Sequence, residues 1–288
     1  MTGMSWLHPP ADSAQRGCDR SGLSCAQIIG SGVGAATRPL ARESRTRQGA
    51  RQRRSSDGQG SLAGVLLAED LLLLVTDDAS GRLSIPVAQA DAALGGANLL
   101  ELALLDKVGL SHEGGQGTPG RVMVREPSPA GDEILDAALA VVLARQGKKP
   151  SSVIGPLGKN LRRTLYQRLA GRGVLRAEQG RVLGVFPARR WPAQDTSHKT
   201  QVRQLVTRAL AQQMAPDTPT AALIALVHAL RCEHKIVDPG RNELSRRQLR
   251  ARAEEIASGN WAPEADSKTI GEITAAVRAA VKAAASAG

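Results

Sequence analysis

Apolar side chains recur with a helical period from residue 61 onward and predict a chain made mainly of helices. The first helix is predicted within the sequence SLAGVLLAEDLLLLVTDD, and the turn signal at Asp77–Gly81 ends it. A second helix is predicted over about 88–105. Short strands are predicted at 108–112 and 121–125, joined by the glycine-rich sequence GGQGTPG.

The second half of the chain continues this pattern. Asp132 is predicted to cap a helix that runs to about Arg145. The next helix is predicted over about 157–170, with an apolar stripe at Leu157, Leu161, Leu165 and Leu169. Alternating residues then predict a hairpin that pairs 174–176 with 182–186 and turns at 178–180. Four more helices are predicted at 199–213, 218–230, 241–257 and 267–285, and the nearly apolar 218–230 is expected to be central.

These patterns predict a mainly α fold, a single globular multi-helix domain over residues 61–288 with small surface β-hairpins. Aromatic residues make up only 2% of the chain, so the core is expected to consist of Leu, Val and Ala. Residues 1–60 mix Pro, Gly, Ser, Arg and Gln without an apolar period, which predicts a disordered basic extension. This extension is either a basic arm for acidic surfaces or simply a flexible segment.

Positive charge is concentrated in one stretch, residues 159–190. It holds nine Lys or Arg against Glu178, a net of +8 in a chain whose total is +11. A basic protein of this kind suits an anionic partner, either nucleic acid or a membrane surface. Arg outnumbers Lys 30 to 8, and Ala and Gly are abundant, which indicates a high-GC genome and suggests a bacterial cell.

Cysteine usage and hydropathy indicate the cellular compartment in which the protein is expected. The three cysteines form no disulfide framework and no paired-cysteine zinc pattern, which fits a reducing cytosol. No apolar run approaches the roughly 18–20 residues that span a bilayer, and the N-terminus lacks signal-peptide architecture. A cytoplasmic protein that meets membranes only peripherally is expected.

Catalytic chemistry has little support in the sequence. It contains no GxSxG elbow, no HExxH motif and no dinucleotide fingerprint. His228, Cys232 and His234 are more typical of a core helix end than of a zinc site. Glu69, Asp70 and Glu101 could form a carboxylate pair, but on leucine-rich helices such acids more often cap helices or pair with arginine. We expect no enzymatic activity, no metal and no cofactor.

The helix and hairpin at 159–190 allow two functional interpretations, beside a merely solvated basic face. One is a winged helix-turn-helix, with the helix at 157–170 as recognition helix and the hairpin as wing. The other is a headgroup site in which Lys159, Arg162 and Arg163 share a helix side with Tyr166 and hold a phosphate. Arg168 falls on the apolar side, where its stem can pack while its head reaches water.

The order of motifs across residues 61–288 resembles that of a known protein family. LLAEDLLLLVTDDASGRLS, LGGANLLELALLDKVGL, PAGDEILDAAL, GKNLRRTLYQRLAGRGVL and VLGVFP together resemble the Golgi phosphoprotein 3 family and its bacterial relatives over about 61–288. The resemblance implies a mainly helical domain that binds phosphatidylinositol 4-phosphate at a basic surface pocket. It also implies self-association through the hairpin at 174–186. The glycosyltransferase-sorting role of the eukaryotic members is not carried over.

The resemblance places two pocket cations on Lys159 and Arg162, with Arg163 as support. The family's pocket tryptophan falls near Pro86 and its third basic residue near Gly95, so neither side chain is kept. A general electrostatic rim is expected from Arg176, Arg181, Arg189 and Arg190, and Trp191 is expected to pack beneath the hairpin. We therefore expect anionic membrane lipids as partners, with nucleic-acid binding or an oligomeric scaffold as the alternatives and any protein client unknown.

Overall fold

Helices make up most of the chain, as the apolar periodicity predicts. The structure is a computed structural model that describes residues 64–111, 118–182, 186–242, 244–258 and 264–287, with the backbone alone for 180–182, 186–188 and 264–267. The predicted disordered extension, the start of the first predicted helix and part of the GGQGTPG loop lie outside these residues. The boundary at residue 60 therefore stays a prediction.

Ten helices lie within the described residues. In chain order they are α1 (Leu67–Val75), α2 (Val87–Leu104), α3 (Glu133–Leu143), α4 (Pro150–Gly158), α5 (Leu161–Gly171), α6 (Ser197–Ala211), α7 (Thr218–Ala229), α8 (Glu233–Ile236), α9 (Arg246–Ser258) and α10 (Glu264–Ser286). A 3-10 turn, Gly240–Asn242, precedes α9. The mainly α class predicted from the sequence is confirmed.

Two buried helices, α2 and α7, occupy the centre of the fold. Every residue of α7 from Thr220 to His228 is buried, which confirms its predicted central place. Asp217 starts this helix because its carboxylate accepts the Thr220 N–H at 3.0 Å. Helix α2 packs against α1, α4 and α10, and α7 packs against α9 and α10, so the remaining helices enclose a leucine-rich core.

The single helix predicted over 157–170 is wrong, because the structure divides it into α4 and α5. Asn160 lies between them with φ +62°, in the left-handed region that asparagine tolerates better than most residues. The predicted stripe Leu157, Leu161, Leu165 and Leu169 is nevertheless buried throughout. The break therefore leaves the apolar packing intact and changes only the directions of the polar side chains around it.

Two glycines let α2 and α4 approach each other closely. A Cβ atom added to Gly95 would lie 2.3 Å from the carbonyl oxygen of Ile154, and one added to Gly158 would lie 2.1 Å from that of Asp91. Only residues without a side chain fit at these two points. The contact fixes the first turns of α2 against the end of α4, where α5 begins.

Two antiparallel hairpins complete the described structure. Strand β1 (Val108–Leu110) pairs with β2 (Val122–Val124), as predicted, with Val108 opposite Val124. Strand β3 (Glu178–Val182) pairs with β4 (Phe186–Arg190), with Gly180 opposite Ala188. The predicted turn at 178–180 is therefore wrong, because these three residues belong to β3. Gln179 is exposed, and a strand at the surface accepts such a polar side chain. The segment 174–176 contributes only an isolated bridge, Leu175 to Ala193.

Candidate phosphate-binding site

Three arginines converge on an open cavity of about 490 Å³. Arg162 and Arg163 come from the first turn of α5, and Arg189 comes from the end of β4. We call this space the Arg162 cavity. It is lined by Asp91, Asn160, Arg162, Arg163, Tyr166, Arg189 and Trp191. Guanidinium groups around an open space match the geometry of an oxyanion such as phosphate.

Asp91 is the one carboxylate among the lining residues. Its Oδ1 accepts a hydrogen bond from Arg162 Nε at 2.8 Å, and both side chains are about one-third exposed, at 37% and 31%. The pair holds Arg162 in place but offsets part of its charge. Three cations against one carboxylate still leave the cavity strongly positive.

An aromatic pair, Tyr166 and Trp191, forms one wall of the cavity. The rings of Tyr166 and Trp191 stack with centroids 5.2 Å apart and planes within 3° of parallel. Thr76 Oγ1 donates to the Leu72 carbonyl at 2.7 Å, so the Tyr166 hydroxyl must donate to Thr76 Oγ1 across their 2.8 Å contact. Burial raises the pKa of Tyr166. The predicted packing of Trp191 in the protein is confirmed, since it is only 8% exposed.

A glycine in the α1–α2 connection holds Trp191 in place. The Trp191 N–H donates to the Gly81 carbonyl at 3.1 Å, and Gly81 has φ +63°. A Cβ atom at Gly81 would lie 2.3 Å from the Trp191 nitrogen. The turn predicted at Asp77–Gly81 therefore also positions the aromatic wall of the cavity.

The structure does not bring all the predicted ligands together. Arg162 and Arg163 line the cavity, but Lys159 lines a different groove, with Asn98 and Leu161. The reason is the break at Asn160, which removes Lys159 from the helix that carries the arginines. The predicted pairing of Lys159 with Arg162 on one helix face is therefore wrong.

The positions where the resemblance places missing side chains do not line the cavity. Pro86 is exposed at the N-terminus of α2, and Gly95 faces the backbone of α4. The cavity obtains an aromatic wall and a further cation from other positions, Trp191 and Arg189. No hydrophobic pattern signalled these contributions, although the sequence ARRW does place a tryptophan directly after two arginines.

The four residues of the predicted rim have different surroundings. Arg189 belongs to the Arg162 cavity itself. Arg176 is 64% exposed and pairs with Glu178 at 2.6 Å. Arg190 is half-buried, and its Nε has no hydrogen-bond partner among the described residues. Arg181 is described by its backbone alone, in β3 opposite Pro187.

The acidic residues near α1 form an ionic network, as expected for acids that cap helices or pair with arginine. The Glu69 carboxylate is fully buried and accepts the Leu66 N–H at 2.9 Å. Arg168 and Arg172 each lie 3.2 Å from Glu69. Arg168 also donates two hydrogen bonds to the Asp132 carboxylate, one from each Nη atom, and this guanidinium lowers the pKa of Asp132. The head of Arg168, expected to reach water, is instead held by two carboxylates.

Glu101 is a partly buried acid whose pKa is affected by the charges of Glu69 and Asp132 in this network. Its Oε2 accepts the Leu67 N–H at 3.0 Å. Burial, together with the charges of Asp132, Asp70 and Glu69, raises the pKa of Glu101 from its ordinary value of 4.5 to about 8. Glu101 is therefore protonated in the folded protein at neutral pH.

We expect the free energy of unfolding of Glu101→Gln to depend less on pH than that of the wild type. The folded protein retains a proton on Glu101 that the unfolded chain releases above its ordinary pKa of 4.5. The free energy of unfolding therefore declines as pH rises through the window up to about 8, and this decline is absent from the variant. Between pH 5 and pH 8, the free energy of unfolding measured in urea should fall by about 3 kcal/mol more for the wild type than for the variant. Equal declines in both proteins would contradict the assignment.

The histidine and cysteine cluster at the end of α7 is part of the core. His228 Nδ1 lies 2.8 Å from Glu233 and its Nε2 lies 2.5 Å from Glu254. Burial raises the pKa of the Cys232 thiol to about 12. Within the described residues, no group of three or more metal-ligating side chains is arranged to hold a metal ion.

The chain was compared with families of known proteins and with curated proteins. None of the helices in the described part of the chain is both long and apolar enough to cross a membrane. A search of curated proteins found no match. The model of the family described as Golgi phosphoprotein 3 (GPP34) matches residues 67–273, a range that begins with α1 and includes the Arg162 cavity. The chain therefore belongs to the Golgi phosphoprotein 3 family.

Proposed function

We propose that this protein is a peripheral membrane protein that binds the phosphate of an anionic lipid headgroup in the Arg162 cavity. The observation that carries the proposal is the convergence of Arg162, Arg163 and Arg189 on one open cavity. Three guanidinium groups can donate charge-assisted hydrogen bonds to one phosphate. Phosphatidylinositol 4-phosphate is the lipid that the family resemblance favours, and a bacterial cytoplasm is the location that the composition favours.

The aromatic wall of the cavity suits a headgroup that has an apolar ring face. Trp191 lies beside the arginines and is held by its stack on Tyr166. An indole face can contact the C–H edges of a sugar-like ring while the guanidinium groups bind its phosphate. The cavity thus offers both chemistries of an inositol phosphate.

A second group of cations, Lys235, Arg246 and Arg250, is exposed to solvent. Lys235 donates a hydrogen bond to the carbonyl of Ser84, in the same connection that holds Trp191. Desolvation lowers the pKa of the neighbouring His234, and the charges of Arg246, Lys235 and Arg250 lower it further. Exposed cations near an anionic membrane contribute roughly 1 kcal/mol each.

The alternative, a winged-helix nucleic-acid binder, has less support. Arg168, one of the three arginines on the predicted recognition helix, is engaged by Glu69 and Asp132. The other two line a cavity rather than a protruding helix face. A DNA-binding helix needs its cations exposed along its length to reach phosphates and base edges.

Flotation of the whole chain on vesicles tests the proposal. Neutral vesicles with and without phosphatidylinositol 4-phosphate, and random duplex DNA, are titrated at matched near-physiological salt. Preferential binding to the phosphoinositide vesicles is expected. Tighter binding to DNA, with a steep salt dependence, would support the alternative instead.

Asp91→Asn is expected to tighten phosphoinositide binding about fivefold. The variant removes the one lining carboxylate, which repels a phosphate and competes for Arg162. Asp106→Asn is the matched control, because it removes an equal charge from another carboxylate that pairs with an arginine. Vesicle titration measures both, and weaker binding by Asp91→Asn would show that Asp91 serves mainly to position Arg162.

Self-association through the hairpin at 174–186 stays a prediction. Strands β3 and β4 form a two-stranded antiparallel ribbon, and the edge of such a ribbon can pair with another chain. Sedimentation of a variant without residues 176–186 tests whether any oligomer depends on it. An unchanged oligomeric state would exclude the hairpin as the interface.

A further inference from the structure

A second groove, separate from the Arg162 cavity, lies where α3, α4 and α5 meet. It has a volume of about 310 Å³ and shares no lining residue with that cavity. Leu161 and Thr164 face it from α5, whereas Arg162 and Arg163 face the cavity. At 100° per residue these two pairs fall on opposite sides of the helix. We call it the Lys159 groove.

The walls of the Lys159 groove are mostly apolar. Seven of its lining residues are apolar: Ile134, Ala137, Ala138, Val141, Pro156, Leu157 and Leu161. Its volume is at the lower end of the range for small-molecule pockets. A compact ring system fits such a space, whereas a two-chain lipid does not.

A buried polar group lies among these apolar walls. Asn98 of α2 lines the groove, is only 2% exposed, and its Oδ1 has no hydrogen-bond partner among the described residues. An unpaired buried acceptor is costly, and native structures contain few of them. A ligand that brings an N–H or O–H group would satisfy it, directly or after a half-turn of the amide.

The groove also has a charged side chain available for an anion. Lys159 caps the C-terminus of α4, is exposed, and forms no ion pair within the described residues. Glu133, the other charged lining residue, lies in the first turn of α3 and forms no ion pair with Lys159 among the described residues. The cation is therefore free to bind a carboxylate at the groove.

We propose that the Lys159 groove binds a small apolar acid that carries an N–H or O–H donor. The ring packs on the apolar walls, the donor bonds to Asn98, and the carboxylate pairs with Lys159. The three contacts use residues outside the Arg162 cavity, so this site does not depend on the proposed lipid function.

Indole-3-propionate is a suitable probe because it combines a ring, an N–H donor and a carboxylate. Titration of the whole chain, followed by ligand-observed NMR, should show saturable binding with a dissociation constant on the order of 1 mM or tighter. The N-methyl derivative lacks the donor and the methyl ester lacks the charge. Each derivative is expected to bind at least about fivefold more weakly than indole-3-propionate, since each loses one polar contact.

Two variants assign these losses to residues. Lys159→Met should bind the acid and its methyl ester equally, and Asn98→Leu should bind the N–H and N-methyl compounds equally. Arg162→Gln is the matched control, because it removes one cation from the Arg162 cavity and should leave the affinity for indole-3-propionate unchanged. If Asn98→Leu does not fold, the comparison of acid and ester on Lys159→Met decides alone.

Three results would overturn the proposal. The first is the absence of saturable binding to the wild-type protein. The second is an unchanged preference for the acid in Lys159→Met. The third is loss of binding in Arg162→Gln, which would assign the probe to the Arg162 cavity.

Discussion

The double variant Arg162→Gln, Arg163→Gln is expected to bind phosphatidylinositol 4-phosphate vesicles about 100-fold more weakly than the wild-type protein. Each arginine lines the cavity and can donate charge-assisted hydrogen bonds to the headgroup phosphate. Losing two such bonds, at about 1.5 kcal/mol each, the lower end for hydrogen bonds to charged groups, accounts for a factor of about this size. Vesicle flotation gives the affinities, and circular dichroism confirms that the variant folds.

A second double variant, Lys159→Gln, Arg176→Gln, is the matched control. It also removes two positive charges, but Lys159 lines a separate groove and Arg176 is exposed beside Glu178. Only the general electrostatic attraction should fall, by no more than about 30-fold for two cations at roughly 1 kcal/mol each. Equal losses in the two double variants would mean that total charge, and not the Arg162 cavity, determines binding.

Glu69→Gln is expected to lower the free energy of unfolding by about 2–4 kcal/mol. The Glu69 side chain is fully buried between Arg168 and Arg172, whose side chains are 21% and 40% exposed. Glutamine can still accept the Leu66 N–H, so the variant removes mainly the charge. The partial exposure of both arginines places the expected value below that of a fully buried pair.

Urea unfolding measures this effect, with Glu178→Gln as the control. Glu178 also pairs with an arginine, but its side chain and that of Arg176 are 42% and 64% exposed. Such surface pairs contribute about 0–1 kcal/mol, so the control should unfold nearly as the wild type does. Similar losses in the two variants would show that burial of Glu69 adds nothing to its pairing.

Helix positions followed from the sequence wherever burial alone determined them. The leucine stripe in α5 and the apolar length of α7 mark the core side of each helix, and both are buried. The break at Asn160 escaped prediction because the leucines are spaced four apart across it. A left-handed residue between two helices leaves such an apolar period unchanged.

The candidate site was only half predictable for a related reason. Arg162 and Arg163 are neighbours within one charged stretch, so local sequence placed them together. Asp91 and Trp191 reach the same cavity through contacts between distant segments, and Gly81 positions the tryptophan by a backbone hydrogen bond. Composition and periodicity contain no information about such contacts, which depend on the tertiary fold.

The close approach of α2 and α4 limits how this cavity can be remodelled. A basic side chain at position 95 would start 2.3 Å from the Ile154 carbonyl, so it could enter only if α4 moved away. That displacement would also move the α4–α5 junction, from which Arg162 and Arg163 extend. A single substitution at Gly95 therefore cannot supply an additional cation without disturbing the two already present. An engineer seeking stronger phosphate binding should change Asp91, which is already at the cavity wall, and leave the glycine contact intact.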